Sequence, residues 1–368
     1  MSMNAKSKFN LQGIRSKKIL LSVFLLLITV IIFSGCIYVF QNISQQESFP
    51  SRSMTQTELK EAVNNAIEPT VITINGDIQL TEPLTIPTQK DITLTSSNNK
   101  KGFYKLIGAN ETNTIFVEKG GVLRLEGIIV THKNGEVGRG VEVYFGGTLI
   151  MTDGVICNNI DGFATYNTGS HDVSLPQNGG GVRNSGSFIM YGGEISGNTA
   201  EGSGGGVYNN GYDFSMYGGK ISNNTAYDHG GGVYNYNGEV SLYDGVISGN
   251  NAKAGGGIYN YGLHYGSIIM KGGVISDNIA SDKGGGVYTY FIFSSFSMSG
   301  GEISNNTATL GGGVCTDYKF TMDGGVIYRN TANTGGGVYV GNGYFNRSGG
   351  TISYNTASYI CNDIYRQK

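Results

Sequence analysis

GGGVYNNGYDFSMYGGKISNNTA, residues 204–226, is the stretch whose reading decides the fold. Its glycine triplet recurs from Gly179, Gly204, Gly230, Gly255, Gly284, Gly311 and Gly335, at intervals of 25, 26, 25, 29, 27 and 24 residues. The rest of the unit repeats with it: GGGVYN, a short variable stretch, F-x-M-x-GG, then x-I-S-x-N-x-A. A divergent copy, GRGVEVYFGGTLIMTDGVICNN from Gly138, carries the period upstream of the first triplet. Self-similarity at such a period marks a stacked repeat architecture. The apolar residues alternate with period two in short runs, and the unit is too rich in glycine and β-branched residues for paired helices. Three short strands separated by turns in about 25 residues match one coil of a parallel β-helix, with coils about 4.8 Å apart.

Stacking places equivalent residues above one another, so the ladders can be read from the repeat. One inward ladder is Met151, Met190, Met216, Leu242, Met270, Met298 and Met322; a second is Ile156, Ile195, Ile221, Ile247, Ile275, Ile303, Ile327 and Ile352. A third is polar: Asn159, Asn198, Asn224, Asn250, Asn278, Asn306, Asn330 and Asn355, each three residues after its isoleucine. An asparagine at one turn of every coil can pass its amide donor to the next coil's acceptor, so the ladder is read as structural. The triplets suit a tight turn needing positive φ or a close backbone approach between coils. An anion nest is the functional alternative.

Composition agrees with this reading. The chain has 60 glycines in 368 residues but only 5 prolines and no period of three, which excludes collagen. Hydrophobic residues at 39% and aromatics at 11% exclude disorder. Charged residues are only 14%, so Asn, Ser, Thr and Tyr must solvate the surface. The net charge of −2 hides an asymmetry: Lys6, Lys8, Arg15, Lys17 and Lys18 all precede the first acidic residue, Glu47. Beyond them the balance is acidic, and nothing suggests a nucleic-acid partner.

The two ends carry the location and the cap. Residues 19–40 are 22 consecutive residues without a charge, long enough to span a bilayer of about 30 Å. Lys17 and Lys18 at its start put the N-terminus in the cytoplasm and the remainder outside. This predicts a basic cytoplasmic tail at 1–18, a transmembrane or signal-anchor segment at 19–40 and a linker at 41–54. Phe33-Ser-Gly-Cys36 resembles a lipobox, which makes a lipid on Cys36 the alternative anchor and an ordinary cleaved signal the third. All three export the chain, and the expected location is the prokaryotic cell membrane, single-pass, with the β-helix domain extracellular. The remaining cysteines, Cys157, Cys315 and Cys361, give neither a disulfide framework nor a metal site. Thr55-Gln-Thr-Glu58 forms a capping box, and Leu59, Ala62, Val63, Ala66 and Ile67 follow helical spacing up to Pro69. An amphipathic helix over 55–68 would then seal the base of a β-helix domain at 69–366. At about 25 residues per coil, that length predicts about twelve coils.

On these residues the chain resembles the right-handed, single-stranded parallel β-helix repeat proteins of prokaryotic cell surfaces. It is similar to adhesin-like proteins of methanogenic archaea and gut bacteria, and more loosely to the repeats of chlamydial polymorphic outer membrane proteins. The GGAI and FxxN of the latter compare with GGGV and ISxN here. The resemblance covers residues 55–366 and implies an all-β fold and a surface location. It implies little chemistry, because the class is defined by its repeats.

The same architecture resembles that of pectate lyases and polygalacturonases, so a polysaccharide lyase or glycoside hydrolase is the alternative function. A galacturonase-like site would need NxD, DD, GHG and RxK on neighbouring coils. The chain has no DD and no GHG, and its RxK matches are Arg15-Ser-Lys17 and Arg366-Gln-Lys368. Asp228 and Asp282 share a repeat position but fall two coils apart, about 10 Å, too far for one calcium ion. No catalytic residue, metal or cofactor is assigned, and His229 reads as a solvated turn.

Binding is favoured over catalysis. Tyr208, Tyr234, Tyr259, Tyr288 and Tyr339 follow an inward Val or Ile and should form an outward stripe, repeated two residues on by Tyr236, Tyr261 and Tyr290. Such a stripe either braces neighbouring rungs by aromatic pairing or stacks on sugar rings or a protein partner. The variable stretch is longest in two successive coils, giving Tyr261-Gly-Leu-His264-Tyr265 and Tyr290-Phe291-Ile-Phe293. Insertions in a solenoid map to loops on one side, so these two should form an exposed apolar patch. The insertion Asp161 to Gln177 is a further candidate loop. The expected function is a membrane-anchored, non-enzymatic surface protein that acts in adhesion or envelope structure through an extracellular glycan or a surface protein.

Overall fold

The computed structural model describes residues 52–97, 102–167, 172–211 and 213–367. The expected membrane segment at 19–40 and Cys36 lie outside them. Among the described residues no helix is long and apolar enough to cross a membrane. They form a parallel β-solenoid of the right-handed type with about 11 turns. Three sheets of 11 parallel strands run its length. Sheet 1 runs from Thr70–Ile74 to Tyr344–Arg347, sheet 2 from Ile78–Gln79 to Thr351–Ser353, and sheet 3 from Leu84–Ile86 to Ile364–Arg366. The turn count is therefore lower than the twelve expected. Long turns and an insertion consume residues without adding a coil: Asn159 and Asn198 are 39 residues apart yet stack directly.

The apolar ladders fall in register. Met151, Met190, Met216, Leu242, Met270, Met298 and Met322 pair in succession along sheet 1, and the isoleucines do so along sheet 2. Two residues before the Met row, phenylalanines stack inside the core at 4.6 to 4.7 Å between centroids, as Phe188 on Phe214 and Phe296 on Phe320 on Phe345. Each such ring is fully buried or nearly so, worth about 1.5–3 kcal/mol by transfer.

Both readings of the glycine triplet hold, at different positions within it. The first glycine takes positive φ, +74° at Gly204. The third is a close approach: a Cβ on Gly206 would stand 2.6 Å from the Gly232 carbonyl oxygen. The ladder that turns past it is fully buried, apart from the last member at 4% exposure, and each Nδ2 donates to the next Oδ1, at 2.9 Å from Asn250 to Asn278. The same Nδ2 also donates to the carbonyl of the isoleucine one coil below, Ile221 for Asn250. A second, unforeseen ladder lines the end of sheet 3, with Asn184, Asn209, Asn235 and Asn260 joined at 2.8 to 2.9 Å, then Thr289 to Thr316 at 2.8 Å.

One helix is described, α1 (Gln56–Asn65), with the reciprocal Thr55 and Glu58 capping box. Leu59 and Val63 pack on the core, but Ile67 is 94% exposed. The backbone turns extended at Ala66 (φ −59°, ψ 127°), so the helical spacing that assigned Ile67 to the apolar face ends before it. The residues that follow Asn159, Asn198, Asn224, Asn250 and Asn278 pair into a fourth, minor sheet of five strands from Ile160–Asp161 to Ile279–Lys283. The insertion is an antiparallel hairpin of Phe163–Asn167 with Asp172–Pro176.

Candidate interaction surface

The outward tyrosines of sheet 3 cover one another. Tyr208, Tyr234 and Tyr259 stack at 5.1 and 5.2 Å between centroids, close to the coil spacing. Tyr288 turns perpendicular to Tyr259, at 86°. Although they point away from the main core, Tyr234, Tyr259 and Tyr288 are no more than 8% exposed. Rings stacked along the solenoid axis hide their faces, and Ala254, Leu310, Tyr236 and Tyr261 cover their flanks, making a second apolar cluster outside the sheet. Burial pushes the Tyr208 phenol up to about 12 and raises those of Tyr234 and Tyr259 further, so all three stay neutral.

Beyond Tyr288 the row is broken by Cys315. Tyr288 Oη donates to Asp317 Oδ2 at 2.5 Å, and Lys283 Nζ donates to the same oxygen at 3.2 Å. The Cys315 thiol is fully buried and its pKa pushed well up, so it is protonated and unreactive. Phenol, ammonium and carboxylate thus satisfy each other in a brace between coils, with no poised base or nucleophile. His229 lies against Tyr259 at 4.5 Å, and burial lowers its pKa.

The turn from sheet 3 to sheet 1 carries the long loops, and it brings them together. Tyr261 stacks on Tyr236 at 5.5 Å and on Phe291 at 5.3 Å, and Tyr290 N–H donates to the Asn260 carbonyl. Stacking holds Tyr261 and Phe291 half-buried, while Tyr265 is 84% exposed and Tyr290, Ile292 and Phe293 are exposed beside it. His264 is exposed too, its backbone N–H donating to Asn237 Oδ1. The same corner shows exposed Tyr318 and Tyr344 above the loops, and Tyr144 and Phe145 far below. A third aromatic column, Tyr191 on Tyr217 on Tyr243 at 5.2 and 4.5 Å, ends under Lys271 Nζ. Its signal in the sequence is a Tyr directly after the Met or Leu of the inward ladder on three successive coils, Tyr191, Tyr217 and Tyr243.

The insertion hairpin springs from a buried charged base. Arg139 donates to Asp161 and Glu142, both at 2.6 Å, and to the carbonyls of Asn178 and Gly179, both at 3.0 Å. It therefore grips both feet of the insertion. A separate groove of about 680 Å³ is lined by Ile269, Ser297, Thr321, Asp323, Asn346 and Arg347, a mixed polar surface with one carboxylate. Among the described residues no three His, Cys, Asp or Glu side chains are placed to hold a metal ion. Compared with protein-family models, curated proteins and solved structures, the chain matches none. What it shares with β-helix repeat proteins is thus the solenoid itself.

Proposed function

We propose that this chain is a membrane-anchored surface solenoid with a non-enzymatic role in adhesion or envelope structure, which binds an extracellular glycan or a surface protein at the corner between sheets 3 and 1. One observation carries the reading: on two adjacent coils, Tyr265, Ile292 and Phe293 are each more than half exposed, beside exposed Tyr290, and cluster in one pair of loops. Contiguous exposed apolar surface of this type marks an interaction site. The tyrosines of sheet 3 contribute as support, since their faces are occupied by one another. The anchor is the uncharged stretch 19–40 or a lipid on Cys36, and the solenoid is outside the cell.

The test is a glycan array and a surface-protein binding assay with the full chain and with Tyr265→Ser, Ile292→Ser and Phe293→Ser combined. Tyr261 and Phe291 are left intact because they stack. Binding lost in the variant at unchanged thermal stability supports the corner as the site. Equal binding by both proteins places it elsewhere.

A further inference from the structure

The uppermost described coil is finished by side chains that stand in for a coil above it. In sheet 1 Arg347 takes the place that Met322 holds in the inward row, and in sheet 3 Arg366 takes that of Val340. Both arginines are exposed, and both turn their N–H groups onto the upper rim of their own coil. Arg347 donates from Nε to the Gly349 carbonyl at 3.1 Å and from Nη2 to that of Gly350 at 2.5 Å. One coil below, the Gly325 carbonyl at the position of Gly350 accepts the backbone N–H of Thr351 instead. Arg366 donates to the Phe345 carbonyl at 2.9 Å, and its guanidinium lies 5.8 Å from the centre of the Phe345 ring. Phe345 tops the phenylalanine stack and is still only 2% exposed.

The donors of the rim are closed in the same way. Asn330 gives its backbone N–H and its Nδ2 to Asn355 Oδ1, both at 3.0 Å. Asn355 gives the same two groups to Asp363 Oδ1, at 3.3 and 2.9 Å. Asp363 stands at the third position of a triplet, since Val338 N–H donates to its carbonyl as Val314 N–H donates to that of Gly337. In the coil below, this position has to be bare, because a Cβ on Gly337 would stand 2.8 Å from Asn355 Nδ2. Here a carboxylate fills it and does the work of the next ladder asparagine. Asn362 Oδ1 takes the Ala357 N–H at 2.8 Å.

We propose that Arg347, Arg366, Asn362 and Asp363 form a cap that closes the upper end of the solenoid to a second copy of this chain. Without it, that end would offer a row of unpaired strand groups around an apolar core in cross-section, which is a template for pairing. The lower end is not open to such pairing, because α1 lies on it, with Leu59 and Val63 in the core and contacts to Thr70–Ile74 and Leu84–Ile86. An upper end stripped of its cap can therefore meet only another upper end, across a two-fold axis. That contact closes on itself at the dimer and does not extend into fibres. With the cap in place the same contact would take four guanidinium groups out of water, like charge against like charge.

The test compares the full chain in detergent with a variant combining Arg347→Met and Arg366→Val, substitutions that continue the two inward rows. Sedimentation equilibrium should give the variant a dimer dissociation constant at least about tenfold below that of the parent, with no larger species. Cross-linking mass spectrometry should join residues 344–367 of two copies in the variant alone. Equal association of variant and parent, growth into fibres, or the same cross-links in the parent overturns the cap. Hydrogen exchange on the unmodified chain decides the matter even where the variant does not fold. The Asn355 and Ala357 amides should exchange at least about tenfold more slowly than in an unfolded chain, and unprotected rates at both would mean that the rim is open.

Discussion

Gly206 and Asn224 occupy one space: a Cβ on Gly206 would stand 2.9 Å from Asn224 Nδ2. The glycine repeat and the asparagine repeat are therefore one device. The third glycine of a triplet is bare so that the amide of the next coil can pass. Gly206→Ala should destabilise by about 1–3 kcal/mol through overpacking. Gly204→Ala should cost about 1–2 kcal/mol, because its φ of +74° disfavours a Cβ. Urea denaturation of the two variants checks this, and midpoints equal to the parent would remove the argument.

Asn250→Leu should cost about 1–3 kcal/mol, since it leaves the Asn224 donors, Asn278 Oδ1 and the Ile221 carbonyl short of partners in a dry interior. The readout is the thermal midpoint. An unchanged value would show that the ladder is decoration.

Asp161 tests the base of the hairpin. Burial, working against the attraction of Arg139, lifts its carboxyl to about 6 from an ordinary 3.8. A carboxyl raised in the folded state opposes folding when ionised. The penalty is complete above about pH 6 and gone below about pH 4, so this group adds stability as the pH falls between them. Asp161→Asn should flatten that part of the pH–stability profile and cost little at neutral pH. Arg139→Met should cost about 3–5 kcal/mol, because it strands Asp161 and Glu142. Equal losses in the two variants would contradict this account.

Cysteine reactivity should divide sharply. In the native protein iodoacetamide should modify the exposed Cys361 and spare Cys315, which is fully buried and has a raised thiol pKa. Peptide mass spectrometry reads both sites, and rapid labelling of Cys315 would mean that the tyrosine cluster opens.

Much of this was legible in the sequence because coil stacking turns a period into a contact. Met190, Ile195 and Asn198 recur in register, and the structure places each under its counterpart in the next coil. The failures share a cause as well. Tyr234 and Tyr259 were read as exposed from strand alternation alone, which says which side of a sheet a residue leaves and not what its neighbours cover. The ladder of Asn184, Asn209, Asn235 and Asn260 also recurs at one repeat position, two residues after an inward Val or Ile, so its signal lay in the same period. The loop pair was placed correctly on one corner, but the sequence could not show that Tyr261 and Phe291 stack while Tyr265 and Phe293 stand free.

The hydrogen bonds that join the coils lie along the axis of the solenoid, and they include every link of both asparagine ladders. A pull along that axis loads the coil interfaces in series, so the tension they withstand is that of the weakest interface and does not grow with the number of coils. A pull across the axis is shared by many interfaces at once. For a tether, such a body is strong to shear and opens one coil at a time under end-on tension.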